Sequence, residues 1–161
     1  MIGFSNHASN QDDDMNQTLP FIQKFHGGLS GILRWPQLAQ LWQTLRGNAG
    51  KHWFIYAVGE VPPAEHSSAR QLDKFITEID ALLRKEHQED YCGIVYVDDR
   101  EDPSFIKIYD PSNLGVACGI SDNPPLPGWV LSLQPPVDLH TAIAPTGQRR
   151  QWWQKLIGAA R

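Results

Sequence analysis

Hydrophobic and polar positions along this chain alternate with two different periods, and the switch between them outlines the elements. After Pro36, the residues Leu38, Leu41, Trp42 and Leu45 recur at i, i+3, i+4 and i+7. Proline is tolerated at the start of a helix and glycine ends one, so this run and Gly47 predict a helix over about 36 to 46. His52 to Glu60 is dense in β-branched and aromatic residues and is stopped by Gly59, Pro62 and Pro63, which predicts a strand. Leu72, Phe75, Ile76, Ile79, Leu82 and Leu83 then form one helical stripe, with Arg70, Lys74, Glu78, Arg84 and Lys85 largely off it. Ser68 and Gln71 have capping-box spacing, so a second helix spans about 68 to 87, with Asp80 to Arg84 an acid-first i, i+4 pair.

From Tyr91 the period becomes two. YCGIVYVDD and SFIKIYD flank a polar loop with Pro103 and predict a β-hairpin. If Val97 opposes Ile106 and Val95 opposes Ile108, those four share the core face. Ile94, Tyr96, Lys107 and Tyr109, with Phe105, then share the other face. Asp110-Pro111-Ser112-Asn113 reads as a turn, and Leu114 to Cys118 and Trp129 to Leu133 as short strands. Prolines on both sides of the last strand place it at a sheet edge or end. Leu19 to Trp35, broken by Gly27, Gly28 and Gly31, suits an irregular packed segment or a short strand. Thr146 to Arg161 suits a helix, with Trp152, Trp153, Leu156, Ile157 and Ala160 as a broad stripe. Successive strands without crossover helices imply an α+β fold: a mainly antiparallel sheet of about five strands with two or three helices packed on it.

The chain has 161 residues, which is one domain's worth, and no apolar run long enough for a membrane span. Residues 1–17 are read as a flexible N-terminal tail, because their Asn, Asp, Ser and Gln content buries too little surface to offset ordering; 18–161 form the single domain. They lack the features of a signal peptide, so the expected location is cytoplasmic. The net charge of -4 divides into -3 from Asp12, Asp13 and Asp14, +4 from Arg149, Arg150, Lys155 and Arg161, and an acidic middle. Without a clustered basic face, no nucleic-acid binding is expected.

The search for chemistry yields weak signals. The glycines around Ser30 lack the lysine of a phosphate loop and the spacing of a nucleophile elbow. There is no CxxC or HExxH, and the acidic tip Asp98 to Asp102 lacks calcium-loop spacing. Neither metal nor cofactor is expected. Cys92 and Cys118 read as free thiols.

Two functions remain. The favoured one is non-enzymatic: an accessory or regulatory protein that binds a protein partner or self-associates. Its binding residues are Tyr96, Lys107 and Tyr109 on the second hairpin face, and Trp152 and Trp153 beside basic neighbours, with core burial as the alternative for each group. Peripheral membrane contact is not expected. The alternative is a small enzyme with a strand-end pocket around Asp110 and Cys118, in which Cys118 pairs with His140 or His52.

Overall fold

A computed structural model of the chain describes residues 20–48, 50–113 and 125–142. The flexible tail 1–17, the strand at Leu114 to Cys118 and the C-terminal helix therefore lie outside the described residues.

Among the described residues, four helices and a five-stranded antiparallel sheet give the α+β fold. The described part of helix α1 covers residues 20–25. Strand β1 (Ser30–Gly31) follows, then α2 (Trp35–Gly47), β2 (Phe54–Ala57) and α3 (Ala69–Glu86). The hairpin is β3 (Val95–Val97) and β4 (Phe105–Ile108); after a 3-10 turn at Pro111–Asn113 come β5 (Trp129–Ser132) and α4 (Leu139–Ala142). The strand order is β1-β3-β4-β5-β2.

Both long helices are set by their local signals. The Ser68 hydroxyl accepts the Gln71 amide at 3.1 Å, and the Gln71 side chain accepts the Ser68 amide at 2.8 Å, so two orphan donors at the start of α3 are satisfied. Leu72, Ile76, Ile79 and Leu83 of α3 are buried against Leu38, Leu41, Trp42 and Leu45 of α2. The Trp42 indole donates to Asp80 at 3.1 Å, and Asp80 pairs with Arg84 at 2.9 Å.

The hairpin pairs as its alternation requires, Val95 with Ile108 and Val97 with Ile106. Through β5 and β2 the register extends into rows that cross the sheet. Ile55, Leu131, Ile106 and Val97 form one row facing α2 and α3; Tyr56, Val130, Lys107 and Tyr96 form a row on the opposite face. Phe21 and Phe25 of α1 and Leu139 of α4 pack on that opposite face against Tyr56, Phe105 and Val130. Both sheet faces are thus covered at least in part, which is why the strands are buried on both sides.

Three expectations change. Strand β5 lies inside the sheet, between β4 and β2, and not at an edge. The prolines stop at Pro127 and resume at Pro135, so none occupies a position in Trp129–Ser132 and the ladder keeps its donors. Ile94 is buried in the α2/α3 core, because Gly93 at φ +68 breaks the extended run before β3 and period two does not reach back to it. The stretch read as irregular supplies a helix, α1, as well as the short β1.

Candidate functional site

Lys107 stands in the middle of the α1-facing row, between Val130 and Tyr96. Strand geometry sends its side chain towards α1, where the ammonium lies 3.7 Å from the centroid of the Phe25 ring. Burial pushes its pKa below the ordinary lysine value. No carboxylate among the described residues pairs with it; the nearby Lys24 takes Asp98 at 3.2 Å. Tyr96 and Tyr109 meet edge to face at 5.6 Å beside it, and both are half-buried. Burial, reinforced by the charge Tyr96 would carry, pushes the Tyr109 phenol up. The structure therefore sets Lys107 across from Tyr96 and Tyr96 against Tyr109, while Tyr109 also packs against the α2/α3 core. Gly31 lies against the rim of this surface, where an added Cβ would come within 3.3 Å of the Tyr96 ring.

The strand-end residues are arranged differently. Asp110 accepts the amide of Ser112 at 2.9 Å and its hydroxyl at 2.7 Å, so its carboxylate holds the 3-10 turn. His140 sits beside Gly59, at the end of β2, with its amide on Asp138. Gly128 lies between these two places, bonded to Ile108 on one side and Val58 on the other, each at 2.9 Å. Asp110 and His140 consequently occupy the same end of the sheet, with the Gly128 strand between them. Cys118, Trp152 and Trp153 lie outside the described residues. Cys92 is buried, and burial raises its thiol pKa.

Sequence reasoning overlooks a third place. A cavity of about 480 Å³ opens between the end of α2, the start of β2 and the N-terminus of α3. Leu45, Trp53 and Leu72 form its apolar part; Arg46, Lys51, His52 and His66 bring basic and imidazole groups to it. The His52 and His66 rings are 4.4 Å apart and tilted by 32°. Two bonds from Ser67 to the Trp53 carbonyl, 2.7 Å from the amide and 2.9 Å from the hydroxyl, join the two segments and bring the imidazoles face to face. The only sequence trace of this is a pair of histidines bracketing Pro62 and Pro63, with no ligand-type spacing.

Among the described residues no group of three or more His, Cys, Asp or Glu could hold a metal ion, and no helix is long and apolar enough to cross a membrane. Comparison of the chain with known protein families, curated proteins and solved structures finds no match.

Proposed function

We propose that this protein acts by binding another protein, as an accessory or regulatory factor, through the surface formed by Tyr96, Lys107 and Tyr109. The observation that carries the reading is Lys107 itself. A partly buried ammonium costs free energy unless it is paired, and the Phe25 ring offsets that cost only in part. A partner that brings a carboxylate to Lys107 and apolar atoms to the tyrosine pair gains a charge-assisted bond in a poorly hydrated setting. Tyrosine also presents contact area with few rotatable bonds to immobilise. The partner chemistry is therefore an acidic side chain flanked by apolar ones on a protein surface.

The test is titration of the 15N-labelled full chain with a peptide of alternating Glu and Leu. Shifts centred on β3 and β4, abolished by Lys107→Glu with Tyr109→Ala in a variant that keeps its circular dichroism, support the reading. Absence of shifts there, or unfolding of the variant, marks this face as ordinary core. A concentration-dependent dimer in sedimentation, lost in the same variant, would make the partner a second copy of the chain.

A further inference from the structure

The two histidines of the cavity form a pair that the protein-binding surface does not use. His52 and His66 are both exposed, and their ring centres lie 4.4 Å apart. Ser67 fixes that spacing, because its amide and hydroxyl both donate to the Trp53 carbonyl, at 2.7 Å and 2.9 Å, and so tie together the residues next to each imidazole. Nδ1 of His66 lies 3.2 Å from the Ser67 carbonyl oxygen, which can only accept. Nδ1 therefore carries the proton, and Nε2 of the neutral ring keeps its lone pair for a ligand. A histidine that holds a metal commonly gives its other ring N–H to a backbone carbonyl in this way. The two cations that line the cavity each have a carboxylate beside them, Lys51 with Asp102 at 2.5 Å and Arg46 with Asp73 at 2.7 Å, so they do little to repel a further positive ion.

We propose that His52 and His66 together bind a divalent transition-metal ion through their ring nitrogens, copper(II) most tightly, with water completing the coordination. Two imidazole nitrogens in adjacent positions of a square-planar ion, each about 2.0 Å from it, put the ring centres about 4.5 Å apart. The 4.4 Å separation matches, so chelation asks for a turn of the exposed rings about Cβ–Cγ, a soft torsion, rather than a shift of the backbone. Imidazole is a good ligand for copper, nickel and zinc, and copper(II) heads the affinity order of the divalent ions. Two protein ligands are too few for the closed tetrahedral site of a structural zinc, so this site keeps exchangeable positions.

The full chain, 15N-labelled, is titrated with copper(II) chloride in a non-chelating buffer, where the paramagnetic ion broadens the amide signals near it. Amides flanking His52 and His66 should broaden first, at substoichiometric copper, and calorimetry of the same titration gives the affinity. His52→Ala and His66→Ala should each weaken binding about tenfold or more, since either leaves a single imidazole. Both variants should keep the wild-type melting temperature, because the rings are exposed. His26→Ala, which removes an exposed imidazole on another part of the surface, should bind copper as the wild type does. An absence of early broadening around His52 and His66, undiminished affinity in either variant, or an equal loss in His26→Ala would each overturn the proposal.

Discussion

The Lys107 ammonium rests 3.7 Å from the centre of the Phe25 ring, so a strand residue's charge is covered by the helix that precedes the sheet. Helix α1 thereby does two things: it closes the Phe21, Phe105 and Tyr56 cluster, and it shelters a cation that has no acidic partner among the described residues.

Lys107→Met should therefore stabilise the protein at neutral pH by about 1 kcal/mol, since methionine keeps the apolar stem and removes the desolvated charge. The pH dependence has a definite sign. With the folded pKa of Lys107 below 10.5, the unfolded chain holds more protons between the two values, so stability rises with pH through that window. Tyr56 and Tyr109, both raised above 10.0 chiefly by burial, act oppositely, holding protons in the folded state and losing stability as pH rises past 10.0. Urea midpoints measured from pH 8 to 11 should rise and then fall for the wild type, and only fall for Lys107→Met. The same variant should lose the acidic peptide.

Gly93→Ala should destabilise by about 1–2 kcal/mol in urea unfolding. Its φ of +68 is a left-handed conformation, and a Cβ there would meet the Tyr91 ring at 3.1 Å. The Gly93 amide also donates to Ile32 at 2.8 Å, tying β3 to the chain after β1. Tyr91→Ala relieves the ring contact alone, so the double variant should recover only part of the loss, the remainder belonging to the backbone.

How far such features are legible from residue order depends on their range. The α3 capping box and stripe are local, and both were readable because Ser68, Gln71 and the apolar positions interact within a few residues. The hairpin register followed from a short loop and strict alternation. Next to Gly27 and Gly28 no helical period stood out for the segment that holds Phe21; Phe105 and Tyr56, far along the chain, give Phe21 its place. The interior position of β5 is equally non-local, because proline restricts only the residues it replaces or adjoins. The placing of Tyr96 and Lys107 on one face was legible, but the Phe25 cover was not. The cavity was invisible for a related reason: Trp53 and Ser67 meet through a backbone carbonyl, which leaves no side-chain motif.

Native-state alkylation should leave Cys92 unmodified. The side chain is fully buried and burial raises its pKa, so both access and thiolate fraction are low. Iodoacetamide at neutral pH followed by peptide mass mapping should find Cys92 labelled only after urea is added. Comparing the rate at Cys118 with that of a free thiol tests the Cys-His reading: a rate well above the free thiol would favour an activated nucleophile, and an ordinary rate would remove it.

Asp98 should be the residue through which acid loosens the hairpin from α1. Its side chain is 15% exposed, and this burial opposes ionisation, yet the amides of Ser104 and Phe105, at 2.9 Å and 3.1 Å, and the Ser104 hydroxyl outweigh it. With Lys24 at 3.2 Å adding its charge, the carboxyl is held below its ordinary value of 3.8. A depressed carboxyl contributes stability that is complete above the unfolded value and is lost as pH falls through the folded one. Asp98→Asn keeps the shape but gives up the anion and one acceptor, and should cost about 2 kcal/mol at neutral pH, a cost that shrinks below pH 3.8. Because Asp98 anchors Lys24 of α1, the variant should also expose the Phe25 cover. Amide exchange in 20–25 should accelerate more than in α3. Equal acceleration in both helices would show that the ion pair adds nothing to the docking of α1 beyond global stability.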